Sequence, residues 1–248
     1  MKKLLDSNQI KLLAIIAMTI DHLTWMLFPG YPKQLLPILL HCIGRMTCPI
    51  MCYCIAEGYH YTRDINKYTR RLFIFALISH FAYVFASADF VDWTSFIPFA
   101  HGSILNQTSV MWSLAWGLVM LCTANSETLT QPSKVLRIVL ICVIAFPSDW
   151  SCVASLCILA FGCNRGRFKA QMLWMLGYVA IYAAVYALAL DTVYGLLQMT
   201  VVLAIPILAQ YNGKRGNPKW KTAMKWLFYV YYPLHLFMIG CVQYALRR

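Results

Sequence analysis

Several ionisable side chains lie deep inside long apolar stretches of the sequence. Asp21 and His22 lie about ten residues into the stretch that begins at Ile10. Arg45 lies about ten residues into the next stretch, and His235 lies about twelve residues into the last one. If these stretches cross a membrane, a charge at this depth costs about 2.5–3.5 kcal/mol on insertion scales. Groups of this kind therefore indicate an ion pair, a catalytic site or a path for protons.

Asp21, His22 and Arg45 have complementary chemistry. A buried carboxylate without a cation takes up a proton, so Arg45 is the natural partner of Asp21. Neighbouring residues on a helix point about 100° apart, which leaves His22 free to face a cavity. A neutral imidazole there can accept a proton from an amine or a hydroxyl. The predicted catalytic residues are His22, Asp21, Arg45 and His235, with Arg45 or His235 available to stabilise an oxyanion. His80, at a similar depth, is interpreted as a packing residue.

A second signal is a set of basic residues that follow two of the apolar stretches. Four cations follow Glu57, and a later turn, Tyr211-Asn-Gly-Lys-Arg-Gly216, is also basic. Such loops arise from membrane topology or from contact with anionic lipids. They also suit an anionic cytosolic ligand with several phosphates, because Arg and Lys make charge-assisted contacts to phosphate. The predicted ligand-binding residues are Glu57, Arg63, Lys67, Arg70, Arg71, Tyr211, Asn212, Lys214 and Arg215.

The composition explains why these charges need a membrane interpretation. Of the 248 residues, 60% are hydrophobic and only 12% are charged, against about 25% charged in ordinary soluble domains. The mean hydropathy is +0.61. The ten cysteines show no paired zinc spacing and lie almost entirely in apolar runs, so we expect buried thiols and no metal site. The predicted class is an all-α, polytopic integral membrane protein.

The hydropathy pattern predicts nine membrane segments within one domain that covers residues 1–248. Two of the segments, the fifth and the sixth, are short, and one kinked helix or a re-entrant pair is the alternative for them. Each other segment is near the roughly 20 residues that a helix needs to cross a bilayer. The predicted segments are Ile10–Phe28, Leu35–Tyr61, Arg71–Ser87, Ser103–Cys122, Val135–Phe146, Ser151–Cys163, Met172–Leu190, Thr192–Ala209 and Ala223–Leu246.

The distribution of charge favours nine crossings with a cytoplasmic N-terminus. With nine crossings, seventeen of the 21 Lys and Arg, from Lys2 to Lys225, fall on one side. The other side carries several aspartates, Asp89 among them, with Lys33 and the terminal Arg247 and Arg248. This is the distribution that the positive-inside rule predicts. It also accounts for the net charge of +12 without a nucleic-acid partner.

Pro233 lies inside the last apolar segment, two residues before His235. A proline within a helix removes a backbone hydrogen bond and kinks or breaks the helix. Broken helices at membrane depth often line cavities. We therefore expect an interruption of the ninth segment at Pro233, with ordinary kinked packing as the alternative.

Fragments along almost the whole chain, taken together and in order, resemble the TraX family. They are Lys11-Leu-Leu-Ala-Ile-Ile-Ala-Met-Thr-Ile-Asp21-His22, Gly44-Arg-Met-Thr-Cys-Pro49, Ala56-Glu-Gly-Tyr59, Thr62-Arg63, Tyr68, Arg71-Leu72, Asp149-Trp150, Tyr211-Asn-Gly-Lys-Arg-Gly216, Lys225-Trp-Leu-Phe-Tyr229 and Tyr232-Pro-Leu-His235. One departure is the stretch from Ser109 to Gly117, where the family pattern leads us to expect Asn and Thr in place of Ser109 and Ser113.

The resemblance implies a membrane acetyltransferase. The namesake of the family is associated with acetylation of the N-terminal amine of a conjugative pilin. TraX is also similar to broader transmembrane acyltransferases, with a deep histidine on an early helix and cytosolic basic residues that engage acyl-CoA. By match, His22 takes the first role, and Arg63, Arg70 and Arg71 take the second. The implied location is a bacterial inner membrane.

The expected reaction moves an acetyl group from cytosolic acetyl-CoA to an amine or a hydroxyl. A pilin or peptide N-terminus and a surface glycan are open alternatives for the acceptor. Membrane lipids are expected partners, and no metal is required. Two other functions remain open. One is a proton-coupled small-molecule transporter that uses the Asp, His and Arg layer; the other is a non-catalytic scaffold in a conjugation or secretion complex.

Overall fold

The structure, a computed structural model, describes residues 3–87, 90–100 and 104–246. Lys2, Asp89, Arg247, Arg248 and the start of the predicted fourth segment at Ser103 lie outside the described residues. The described residues form α-helices and short 3-10 helices joined by loops, with two isolated bridges between residues. The α-helices are α1 (Ser7–Leu27), α2 (Leu35–Gly44), α3 (Thr47–Tyr61), α4 (Ile65–Phe85), α5 (Val110–Ala124), α6 (Gln131–Ala145), α7 (Val153–Cys163), α8 (Phe168–Ala189), α9 (Thr192–Leu197), α10 (Ala204–Ala209) and α11 (Lys221–Leu246). Short 3-10 helices cover Trp93–Phe96, Gln198–Leu203 and Pro218–Trp220.

Every predicted membrane segment coincides with one or more of these helices, which confirms the all-α membrane class. Four helical stretches are long and apolar enough to cross a bilayer: Ser7–Leu27, Leu35–Tyr61, Phe168–Ala189 and Thr192–Ala209. Helices α5 and α7 are shorter and apolar. The number of nine crossings and the cytoplasmic N-terminus stay predictions.

The chain divides into two compact units, each made of two separate stretches. Unit 1 comprises Met1–Cys54 and Arg167–Tyr231. Unit 2 comprises Ile55–Gly166 and Tyr232–Arg248. The prediction of a single domain over residues 1–248 stays a prediction.

In unit 1, contacts at the two ends of the helices show which loops share an end. Asp6 caps α1 with a capping box. Its side chain accepts from the backbone N–H of Gln9, and the side-chain oxygen of Gln9 accepts from the backbone N–H of Asp6. Just before this cap, the backbone of Leu5 pairs with that of Gln210 and Asn212. At the other end of α1, Lys33 forms an ion pair with Asp191 across 3.4 Å. The basic N-terminal residues and the basic turn 211–216 therefore lie at one end, as the charge distribution predicted for these two loops.

In unit 2, α5 packs between α6 and α7. The Nζ of Lys134 donates to the carbonyl of Ala124 across 3.1 Å, so the first turn of α6 meets the last turn of α5. The indole Nε1 of Trp112 donates to the carbonyl of Ile144 across 3.0 Å, so the last turn of α6 meets the first turn of α5. Helix α6 thus runs back along the length of α5, and α7 is a separate helix. This excludes the alternative of one kinked helix for the fifth and sixth segments.

Ser113 holds α5 against α7. Its hydroxyl donates to the carbonyl of Ser151 across 2.7 Å, and the hydroxyl of Ser155 donates back to the carbonyl of Ser113 across 2.6 Å. Ser113 and Ser155 are both fully buried. The family departure at Ser113 therefore lies at a helix–helix contact of unit 2.

We expect Ser113→Ala to lower the free energy of unfolding of the protein by about 1–3 kcal/mol, because the buried Ser151 carbonyl loses a donor. The loss is measured as a drop in the midpoint of thermal unfolding in detergent. Ser126→Ala is the matched control, since Ser126 bonds Thr128 on an exposed turn. Equal midpoints for the two variants would contradict a structural role for Ser113.

Candidate active site

Two of the predicted segments are interrupted within unit 1, and each restarts with a proline in its first turn. The second segment breaks at Arg45 and Met46 between α2 and α3, and the eighth becomes a 3-10 helix over Gln198–Leu203. Pro49 is the third residue of α3, and Pro206 is the third residue of α10. A proline cannot donate to the carbonyl four residues earlier, and in the first turn of a helix that donor is not needed.

The expected interruption at Pro233 is wrong, because α11 continues from Lys221 to Leu246 with Pro233 inside it. The two observed interruptions instead bring Arg45 and Gln198 together in unit 1. The guanidinium Nη1 of Arg45 donates to Oε1 of Gln198 across 3.5 Å, which is a long hydrogen bond. Both side chains are buried. The interruptions therefore supply polar groups to the interior at the depth of Asp21.

Asp21 is the centre of this polar cluster. It lies on α1 and is buried. The Nη2 of Arg45 donates to its two carboxylate oxygens across 3.1 and 3.2 Å. This is the ion pair that the sequence predicted. A carboxylate at this depth keeps its charge because a cation faces it directly.

His41 is a member of the cluster that the sequence reasoning missed. Its Nδ1 lies 2.7 Å from Oδ1 of Asp21, and the side chain is fully buried. His41 lies on α2, four residues before Arg45, so the two side chains share a face of the helix. That spacing was the available signal. We name Asp21, His41 and Arg45 the Asp21 cluster.

Aromatic rings cover the Asp21 cluster on the His41 side. The rings of Trp25 and Tyr194 lie 4.6 and 5.4 Å from the His41 ring, centroid to centroid. Tyr31 packs on both, at 6.0 Å from Trp25 and 5.0 Å from Tyr194. Tyr31 is 39% exposed. A continuous row of rings thus runs from the surface of unit 1 to His41.

The other histidines at membrane depth have different surroundings. His22 is half-buried and follows Asp21 on α1. His235 belongs to unit 2, where it is buried and its ring meets that of Tyr232 edge-on at 5.6 Å. The Nε2 of His80 lies 2.9 Å from the carbonyl of Phe96, which accounts for it as a structural residue. The catalytic roles of His22 and His235 stay predictions.

The ion-pair partner of Glu57 is Arg165, which was not among the candidates. The Nε of Arg165 donates to Glu57 Oε1 across 2.8 Å, and its guanidinium lies 5.1 Å from the centre of the Tyr61 ring. The hydrogen bond to Glu57 raises the pKa of Arg165 above its usual value. Within unit 2, this pair joins the end of the second segment to the basic loop after α7. Glu57 therefore balances the charge of that loop.

The basic residues at the start of α4 are of two kinds: some contact other side chains of unit 2, and others are exposed to solvent. Asp64 caps α4 by accepting from the backbone N–H of Lys67 across 2.9 Å, and this lowers the pKa of Asp64. The Nζ of Lys67 also forms an ion pair with the carboxylate of Asp64 across 3.2 Å. Arg71 is half-buried over the ring of Tyr68 at 5.8 Å. Arg63 and Arg70 are exposed.

The basic turn 211–216 is built on the start of α1 in unit 1. Tyr211 is buried and meets the ring of Tyr53 at 5.8 Å, so it anchors the turn. The side chain of Asn212 accepts from the backbone N–H of Lys214 across 2.8 Å. Lys214 and Arg215 are exposed. Among the residues that the structure describes, no group of three or more His, Cys, Asp or Glu side chains is placed to hold a metal ion.

The chain was compared with protein families, with curated proteins and with solved structures. The family model described as "TraX protein" matches residues 6–243. One curated relative is the "Probable fimbrial assembly protein FimC, serogroup H1" of Dichelobacter nodosus. The alignment with it has a length of 248, shows 27% identity, and covers 96% of this chain and 96% of the relative. No solved structure matches the chain significantly.

Proposed function

The chain belongs to the TraX family, and from this premise we propose that it is a membrane acetyltransferase that uses acetyl-CoA as its donor. The observation that carries the proposal is the buried Asp21 cluster, in which a histidine and an arginine both bond one carboxylate. A histidine held by a carboxylate is a recurrent arrangement for a general base. A free-standing structural ion pair would not require the imidazole.

The proposed reaction is direct transfer. The nitrogen or oxygen of the acceptor attacks the thioester carbonyl of acetyl-CoA, and a histidine takes the proton that the acceptor loses. The new C–N or C–O bond replaces the C–S bond, and CoA leaves as the thiol after it takes up a proton. The resemblance implies His22 for the histidine. Arg45 or His235 is proposed to stabilise the oxyanion. No covalent intermediate on the enzyme is needed.

The proposed donor site uses exposed cations to hold the phosphates of CoA. In unit 1, Lys214 and Arg215 lie exposed on the basic turn, and Asp21 belongs to the same unit. Arg63 and Arg70 are exposed cations of unit 2, and the resemblance implies the same role for them. The pantetheine arm is about 15–20 Å long when extended. Asp21 is fourteen residues from the start of α1 at Ser7, which is about 21 Å along the helix axis. The arm thus has nearly the length required to bring the thioester to the Asp21 cluster.

The proposed acceptor is an amine or a hydroxyl that approaches from the membrane or from the outer side. The namesake of the family is associated with acetylation of a pilin N-terminus. The relative from Dichelobacter nodosus carries the name of a fimbrial assembly protein. Both favour a pilus-related peptide amine over a surface glycan. The proposed location is a bacterial inner membrane with the N-terminus in the cytoplasm.

We expect CoA and acetyl-CoA to raise the midpoint of thermal unfolding of the detergent-purified protein. A ligand at 100 times its dissociation constant stabilises the folded state by about 2.7 kcal/mol, which corresponds to about 5–10 °C for a chain of this size. Arg63→Gln with Arg70→Gln should lose most of the shift, because both side chains are exposed and neither variant disturbs the half-buried contact of Arg71 with Tyr68. Lys33→Gln, an exposed cation at the opposite end of unit 1, is the matched control and should keep it.

A ligand series sharpens this measurement. Dephospho-CoA lacks one phosphate and should shift the midpoint less than CoA does, while pantetheine alone should shift it little. No shift at millimolar acetyl-CoA in monodisperse protein would contradict the acetyltransferase and favour the non-catalytic scaffold. Loss of the shift in the Lys33→Gln variant would contradict the donor site at the basic end.

One observation favours a second candidate function. Interrupted helices at membrane depth, such as those at Arg45 and Gln198, often form the binding sites of transporters. Together with a buried Asp, His and Arg they would suit a proton-coupled transporter. Proton uptake into proteoliposomes, driven by a candidate solute and lost in Asp21→Asn, would support this function. Acetyl transfer by the same preparation in the absence of a pH gradient would show that the transporter function is not needed to explain the Asp21 cluster.

A further inference from the structure

We infer that His41, rather than His22, is the general base of the acetyl transfer. The inference rests on the proposed function and names the residue that receives the acceptor's proton. It is carried by the geometry of the Asp21 cluster, in which the two ring nitrogens of His41 have different surroundings.

One nitrogen of His41 is committed to Asp21. Nδ1 lies 2.7 Å from Oδ1 of Asp21. Asp21 is held as a carboxylate by the two contacts from Arg45 Nη2, and a carboxylate can only accept a hydrogen bond. Nδ1 therefore carries the hydrogen, and in the neutral ring Nε2 carries a lone pair.

The other nitrogen is available for a ligand. Nε2 of His41 is buried and has no hydrogen-bond partner among the residues that the structure describes. Buried polar atoms in native proteins are nearly always paired, so an unpaired one calls for an explanation such as a bound group. An acceptor amine or hydroxyl has the hydrogen that this lone pair requires. The rings of Trp25 and Tyr194 pack on the His41 ring, and Tyr31, which packs on both, is 39% exposed, so these aromatic rings separate His41 from the surface on that side.

The step balances with acetyl-CoA as the second reactant. The acceptor nitrogen attacks the carbonyl carbon of the thioester, its hydrogen passes to Nε2 of His41, and the C–S bond breaks. His41 is then an imidazolium paired with Asp21. It returns the proton to the CoA thiolate, which restores the neutral ring and leaves an amide and free CoA thiol. Asp21 stabilises the imidazolium and holds the ring orientation, as a carboxylate does in other histidine-dependent transferases and hydrolases.

The test compares His41→Asn with His22→Asn in the full-length, detergent-purified protein. The asparagine amide can still donate to Asp21 as Nδ1 does, but it offers no base at the position of Nε2. The assay follows transfer from radiolabelled acetyl-CoA to an unblocked alanine-initiated peptide amide. We expect His41→Asn to lower kcat at least 100-fold and to retain the thermal shift with CoA. His22→Asn should lower kcat less than tenfold, and His80→Asn, the control at similar depth, less than threefold.

The opposite pattern overturns the inference and leaves the acetyltransferase intact. If His22→Asn abolishes transfer and His41→Asn retains it within threefold, His22 is the base. If the wild-type protein neither binds CoA nor transfers acetyl, the proposed function has failed, which the CoA shift reports separately from the histidine variants. If His41→Asn does not fold, His41→Gln and the spectroscopic measurement below decide.

Nitrogen NMR of ¹⁵N-histidine-labelled protein tests the same claim without turnover. The six histidines are resolved by difference with the His41 variants. We expect a neutral His41 ring at pH 7.5 that is protonated at Nδ1 and bare at Nε2. A ring protonated at both nitrogens from pH 6 to pH 9, or protonated only at Nε2, would overturn the assignment.

Discussion

Arg45→Met is expected to lower the free energy of unfolding of the protein by about 3–5 kcal/mol. Asp21 accepts two contacts from Arg45 and is buried. Removal of the guanidinium leaves the buried carboxylate without the cation that faces it and with the imidazole of His41 as its hydrogen-bond partner. The measurement is the midpoint of thermal unfolding in detergent, followed by size-exclusion chromatography after heating.

A double variant separates the ion pair from the packing of the arginine. Asp21→Asn with Arg45→Met removes both charges, so it should recover most of the loss seen in Arg45→Met alone. Lys33→Met breaks the Lys33–Asp191 pair, where the lysine side chain is 63% exposed, and should change stability little. If the double variant is as unstable as Arg45→Met, the loss comes from packing and the buried ion pair is not its cause.

Gly44→Ala is expected to lower the free energy of unfolding of the protein by about 1–3 kcal/mol or more. A Cβ on Gly44 would overlap the Cβ, Cγ and Oδ1 atoms of Asp21. These atoms belong to a carboxylate that is held on two sides by His41 and Arg45, so the side chain cannot move away without breaking those bonds. The glycine is therefore what allows α2 to approach α1 at this point.

Gly177→Ala is the matched control for this prediction. Gly177 lies inside α8, and a Cβ placed on it meets no atom within 4 Å. There the substitution should stabilise the protein by about 0.5–1 kcal/mol, because alanine loses less conformational entropy in a helix than glycine does. Thermal midpoints that fall equally in Gly44→Ala and Gly177→Ala would contradict the close approach of α1 and α2.

The interrupted helices explain how a polar cluster is tolerated in an apolar unit. An unbroken helix presents only side chains to its neighbours, whereas a break leaves backbone groups without helical partners. Arg45 and Gln198, at the two breaks, are buried, and irregular backbone at membrane depth is tolerated where it is buried in protein. The arrangement suits either a catalytic site or a transport site. The CoA and proton-uptake experiments distinguish these two functions.

Much of the fold follows from the sequence alone. Composition and hydropathy determine an all-helical membrane protein, because 60% hydrophobic residues in long runs can be buried only in this way. The helix positions agree with the predicted segments, and the family resemblance in ordered fragments is confirmed by the family model over residues 6–243. The pairing of Asp21 with Arg45 was also predictable, since a buried carboxylate needs a cation.

Other features depended on the tertiary structure. The sequence contains Pro49, Pro206 and Pro233 in similar apolar surroundings, yet only the first two restart a helix. Whether a proline ends a helix depends on what can satisfy the freed backbone, and that is a property of neighbouring segments. The partner of Glu57 was likewise undetermined, because Arg165 is far away in the chain and reaches it only when unit 2 is folded.

The identity of the third member of the Asp21 cluster shows the same division. The sequence alone predicts that Asp21, His22 and Arg45 lie at membrane depth, since depth follows from the position of a residue within an apolar run. It did not determine which histidine faces the carboxylate, because adjacency in the chain turns His22 away from Asp21 on the helix. Only the packing of α2 against α1, made possible by Gly44, brings His41 to 2.7 Å from Asp21 and leaves its other nitrogen buried without a partner in the described structure.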